Sequence, residues 1–71
     1  MFIEVTDHQG MHWTINVEHI AAYTSYGDQR TSIYLTTTVW SKVGETKSLV
    51  VNQKPEQLKT LIQGALNMAK S

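Results

Sequence analysis

Trp13-Thr14-Ile15-Asn16-Val17-Glu18-His19-Ile20 is the stretch whose reading decides the fold. Apolar and polar residues alternate through Asn16, as they do in a strand with one face buried. The alternation then breaks, and Ile20 restarts an apolar run. Asn16 stands at the break. Its short side chain can accept a backbone N–H two or three residues on, so it suits the cap of a helical turn. The stretch therefore reads as a strand, one helical turn over Val17-Glu18-His19, and a return to the core at Ile20.

Upstream, Phe2 to Thr6 reads as a strand with Ile3 and Val5 on one face and Phe2, Glu4 and Thr6 on the other. Asp7-His8-Gln9-Gly10 is the turn. If His8, Gln9 and Gly10 form the loop, Val5 falls opposite Trp13 and Ile3 opposite Ile15, and both apolar sets share one face. A loop one residue shorter or longer would put Val5 opposite Thr14 or His12 and mix the faces. Register follows the hydrophobic pattern, so the three-residue loop is expected. Such a loop needs a left-handed residue at its last position, which Gly10 supplies without steric cost.

Downstream, Ala21 to Tyr26 reads as a third strand and Gly27-Asp28-Gln29 as a turn. Arg30 to Val39 is rich in β-branched and aromatic residues, with Ile33 and Leu35 facing inward. Thr36, Thr37 and Thr38 have strand propensity but little hydrophobic drive, which places that end at an edge or outside the core. Trp40 to Glu45 is the least patterned region, with Gly44 marking a turn. Thr46 to Val51 reads as a fifth strand, Leu49 and Val51 inward and Val50 outward. Residues 36–48 together read as a hairpin projecting beyond the sheet.

Pro55 opens the long helix, at the position where no N–H is needed. Glu56 in its first turn and Lys70 in its last complement the dipole. Leu58, Leu61, Ile62, Ala65, Leu66 and Ala69 fall at helical spacing. Gly64 costs up to about 1 kcal/mol against Ala in mid-helix, which close packing on the sheet would justify. Lys54 is a poor cap, so Asn52 or another group is expected to serve. The fold class is α+β: a five-stranded antiparallel meander or partly open small barrel with one C-terminal helix packed on it. Its strands run over about 2–6, 11–17, 21–26, 30–39 and 46–51 and its helix over about 55–69, in a single small domain, 1–71.

With 71 residues and no cysteine, the chain has neither a disulfide framework nor a thiolate metal site. Domains of this size are marginally stable unless disulfides, metals or partners help, so self-association is a natural way to gain buried area. Residues 1–6 lack the basic and long apolar segments of a signal peptide, and no apolar run approaches the ~20 residues that span a bilayer. The expectation is a cytoplasmic protein without a membrane role. Net charge is zero, which disfavours a general nucleic-acid binder. The charges are nonetheless uneven. Glu4, Asp7, Glu18 and Asp28 precede residue 36 with Arg30 as the one base, whereas Lys42, Lys47, Lys54, Lys59 and Lys70 follow with Glu45 and Glu56.

The chain holds three histidines, His8, His12 and His19, the residue type most used as a metal ligand. His8 and His12 bracket the first turn and are the weak candidates for a metal, with Asp7 as a third donor, but a structural site wants four ligands. No serine lies in a G-x-S-x-G setting, no glycine-rich phosphate loop is present, and no carboxylates pair for acid–base work. An enzyme is not expected, and neither is a cofactor.

Phe2-Ile3-Glu4-Val5-Thr6, Asp7 and Gly10, Ile15-Asn16 with Ile20, Ile33-Tyr34-Leu35, Val51, and the Pro55-Glu56-Gln57-Leu58 helix start together resemble the small FlbD-like proteins of flagellar operons. The shared pattern covers most of the chain, and its most distinctive piece is Ile15-Asn16 followed by Ile20. Two features depart from it: the stretch from Thr36 to Ser48 is longer than that family's short turn, and Lys54 stands where a capping residue would. The resemblance implies a non-enzymatic accessory protein and carries over no catalytic residue.

The functional expectation is thus a small interaction module, self-associating or bound to a protein partner, with Trp40, Lys42, Lys47 and Tyr34 as contact residues. Trp is enriched among the side chains that dominate interface energetics. The alternatives are a small-barrel nucleic-acid binder, using Lys42, Lys47, Lys54 or Lys59 with base stacking on Trp40 and Tyr34, and a metal or small-molecule binder at His8 and His12.

Overall fold

Val5 lies opposite Trp13, Ile3 opposite Ile15 and Thr6 opposite His12, in the register that the apolar alternation demands. The computed structural model describes residues 1–41 and 44–70; the side chains of Ser41, Ala69 and Lys70 also lie outside the described set. Strands β1 (Phe2–Thr6) and β2 (His12–Asn16) form this first antiparallel pair. Gly10 closes its turn at φ +84°, in the left-handed region that costs other L-residues energy.

Asn16 ends β2 as expected. Its side chain accepts the Glu18 amide at 3.0 Å, and Val17–His19 make a single 3-10 turn. The chain leaves this turn in a new direction, and β3 (Ile20–Tyr26) pairs with β4 (Arg30–Ser41) instead of with β2. β5 (Gly44–Val51) pairs with the other side of β4. The five strands therefore divide into two antiparallel sheets, β1-β2 and β3-β4-β5, and not one continuous meander. The break falls at the Asn16-capped turn. The sheets are joined by an antiparallel bridge between Asp7 and Val51.

Hydrogen bonds reinforce that joint. The His8 amide donates to the Val50 carbonyl at 2.9 Å, and the Asn52 amide to the Thr6 carbonyl at 2.8 Å. The Gln53 side chain accepts from the Thr6 amide at 3.1 Å. The fully buried Thr31 hydroxyl donates to the Gln53 carbonyl at 2.7 Å. The segment after β5 is thus fastened to both sheets before the helix begins.

Helix α1 (Pro55–Lys70) starts without Asn52, whose side-chain amide donates instead to the Asp7 carbonyl. Gln57 serves: its side-chain oxygen accepts the Lys54 amide at 2.9 Å, the half of a capping box in which the third helical residue reaches back. The buried face is narrower than the apolar spacing suggested. Leu58 is fully buried and Ile62 and Ala65 pack partly against the core, but Leu61 and Leu66 remain exposed. The Ala69 and Lys70 side chains are outside the described residues. Leu58 meets Ile3, Val5 and Ile15 from the first sheet and Ile33, Leu35, Leu49 and Val51 from the second in one apolar cluster.

Candidate functional site

Residues 30–34 of β4 pair regularly with β5, from Thr31 opposite Val51 to Tyr34 opposite Ser48. Pairing resumes with Val39 opposite Thr46 and continues through Trp40–Glu45 to Ser41–Gly44. Between these segments, residues 35–38 of β4 stand against Lys47 alone, so β4 carries a wide bulge. The three threonines explain where it falls: all are exposed, and nothing apolar holds that side of the strand to the core. Leu35 is retained because it pairs with Ile20 of β3 and is buried. Thr36 is tied to the 3-10 turn, its hydroxyl donating to the His19 carbonyl at 3.4 Å and lying 3.3 Å from His19 Nδ1.

The strand does not stop at the bulge. β4 reaches Ser41 and β5 starts at Gly44, so the described residues of the least patterned stretch, Trp40, Ser41, Gly44 and Glu45, are paired strand beyond the expected limits of 39 and 46. Val39 is half-buried against the core and Trp40 is 72 % exposed. Successive strand residues point to opposite faces; Val39 therefore anchors the hairpin and Trp40 is presented on its other side. On β5, the Thr46 hydroxyl donates to the Ser48 carbonyl at 2.8 Å and accepts the Ser48 amide at 3.1 Å.

Of the expected contact residues, Trp40, Tyr34 and Lys47 are exposed. Tyr34 lies before the bulge and Trp40 beyond it, in separate paired segments, with Lys47 opposite the bulge. Lys42 lies outside the described residues.

An apolar groove of about 280 Å³ opens on the Val39 side of the hairpin, where Thr37 and Val39 approach Phe2, Trp13 and Ile15 of the first sheet. Sequence reasoning missed it, because it forms from the bulge and the split between sheets, neither of which a periodicity displays.

The turn after β1 is organised by a buried acid that apolar periodicity does not reveal. Asp7 is only 5 % exposed. One carboxylate oxygen accepts the Gln9 and Met11 amides, each at 2.9 Å, and the other accepts the Trp13 indole N–H at 2.9 Å. Burial pushes this carboxyl up, but the bonds from Trp13, Met11 and Gln9 and the nearby His8 outweigh it and hold it below the ordinary 3.8. The signal was present: an Asp two residues before a turn amide favours an Asx turn, and a Trp packed on a core needs an acceptor for its N–H.

These bonds bear on the histidines. Asp7 turns its carboxylate to the turn and Trp13. His12 Nδ1 lies 3.2 Å from the Thr6 hydroxyl, and His8 Nδ1 lies 3.4 Å from the Val50 carbonyl. No group of three or more His, Asp or Glu side chains is placed to hold a metal among the described residues. Nor is any helix among them long and apolar enough to cross a membrane. Comparison of the chain with family models, curated proteins and solved structures finds no match.

Proposed function

We propose that this protein is a non-enzymatic interaction module that self-associates through the β4–β5 hairpin, with Trp40 at the centre of the contact. The observation that carries the reading is Trp40 itself. A side chain this large, 72 % exposed, sits on a paired strand whose neighbour Val39 is anchored in the core. A rigidly presented indole loses little conformational entropy on binding, and such residues dominate the energetics of interfaces. The two sheets, joined at Asp7 and Val51, are read in the same proposal as halves of a partly open small barrel from which the hairpin projects.

Sedimentation velocity across a concentration series tests this. The wild-type chain is expected to shift toward a larger species as concentration rises. Trp40→Ala should weaken that association by about 30-fold, as a 2 kcal/mol contact residue does. A chain that stays monomeric at every concentration, or a variant that associates like the wild type, would refute the proposal.

A further inference from the structure

The hydrogen bonds of β1 reveal which of its backbone groups remain open. Thr6 uses its outward edge: its amide donates to the Gln53 side chain and its carbonyl accepts from Asn52. The Met1 carbonyl, on the opposite edge, accepts from Val17 beyond the end of β2. In an antiparallel pair the N–H and C=O of one residue point the same way, and the direction alternates along the strand. Phe2 and Glu4 therefore direct their backbone groups away from β2, as Thr6 does. This edge meets β5 and the segment after it at Thr6 and Asp7, and from Phe2 to Glu4 it pairs with no other strand. The Glu4 amide and carbonyl have no hydrogen-bond partner among the described residues.

A groove of about 470 Å³ runs beside this edge, between β1 and the exposed flank of α1. Its helical wall is Leu61, Gly64, Ala65 and Met68. Close packing on the sheet does not account for Gly64: a Cβ there would meet nothing within 4 Å. The missing side chain leaves space in the groove. Phe2, 63 % exposed, and Met68, 80 % exposed, flank it.

We propose that this groove takes an extended peptide, which adds to β1 as a third strand of the N-terminal sheet. An open N–H and C=O on a strand edge recognises another extended backbone. The chemistry of the site also sets the side chains. The peptide residue opposite Glu4 shares the solvent face with the Glu4 carboxylate, and the cross-strand position on that side is vacant. A basic residue fits there. The residues on either side of it point to the other face, toward Leu61, Gly64 and Ala65, and are apolar. The ligand class is thus an extended segment of apolar–basic–apolar pattern. This surface is separate from the hairpin, and the inference does not rest on the reading given for Trp40.

The probe is the peptide acetyl-Thr-Val-Lys-Val-Thr-amide, titrated into the isotope-labelled full chain to millimolar concentration and followed by amide chemical shifts. Saturable shifts are expected at Phe2, Glu4, Leu61 and Gly64. The same peptide N-methylated at its lysine, which loses the N–H that would meet the Glu4 carbonyl, should bind at least 10-fold more weakly. Gly64→Val should weaken binding by a similar factor without lowering the melting temperature, since Val is the better helix former. Glu4→Gln should weaken it by a smaller, salt-sensitive factor. Absence of shifts at these residues, equal binding of the N-methylated peptide, or shifts confined to the Trp40 hairpin would overturn the proposal. So would self-association that Gly64→Val abolishes, because the groove would then belong to a second copy.

Discussion

The turn after β1 and the outer part of the β4–β5 pair each carry a Trp beside them, yet they treat it in opposite ways. In the first, one buried carboxylate accepts three N–H groups, from Gln9, Met11 and Trp13. The Trp13 indole is turned inward by that bond and packs on the core. In the second, the Trp40 indole has no such acceptor among the described residues and stands 72 % exposed. The same side chain serves two ends because of what sits near it: a buried acid makes one Trp part of the fold, and a stretch of threonines leaves the other free of it. Residue type alone therefore does not mark a contact surface; the presence or absence of a nearby buried partner does.

The contrast is broken most severely by Asp7→Ala. Three donors lose a charged acceptor in a buried setting, and the loss should be about 3 kcal/mol, or roughly 15 °C in melting temperature for a domain of this size. Calorimetry or denaturant unfolding measures it. A loss below 1 kcal/mol would show that water replaces the carboxylate readily.

Acid should reproduce part of that loss reversibly. The Asp7 carboxyl is held below its ordinary 3.8 in the folded chain. Its contribution is therefore complete above about pH 4 to 5 and disappears as pH falls through the folded value. Urea midpoints measured from pH 6 to pH 3 should fall less steeply for Asp7→Asn than for the wild type. Parallel curves would remove Asp7 as a source of acid sensitivity.

Asn16→Ala should cost about 1 kcal/mol, the usual worth of a cap, and should leave the hairpin register intact in amide shifts. Trp40→Ala should have the smallest effect on the isolated chain, within about 0.5 kcal/mol. A larger loss would mean that Trp40 is part of the fold after all, and the contrast between the two hairpin ends would collapse.

Much of this architecture was legible in the sequence. The pairing of Val5 with Trp13 followed from alternation, because one-residue slips expose the apolar set. Gly10 and Asn16 were readable because few residues meet their local demands. The helix start at Pro55 was equally plain. What could not be read were features decided by distant partners. The split into two sheets depends on how the chain leaves the 3-10 turn. The bulge depends on a strand that is held at Leu35 and at Val39 but not between. Of the groups open to cap the helix, Asn52 instead bonds the Asp7 carbonyl, 45 residues away in sequence, and Gln57 takes the role. Gly64 suggested tight packing, but an open groove beside it requires no side chain either. Of the candidate site, the hairpin around Trp40 stood out by its lack of apolar pattern, but neither the exposure of the indole nor the groove under Val39 was legible, because both depend on which distant residues pack there.

The small loop of hydrogen bonds between Thr46 and Ser48 has a consequence for the behaviour of the chain at high concentration. An unpaired outer strand is a template on which other chains can stack into fibrils. On β5, the Ser48 amide and carbonyl are both engaged by a hydroxyl two residues away. An incoming chain would have to displace that hydroxyl before it could continue the ladder. The hydroxyl of one threonine thus occupies the backbone donor and acceptor that a further strand would need at this point on the margin of the larger sheet.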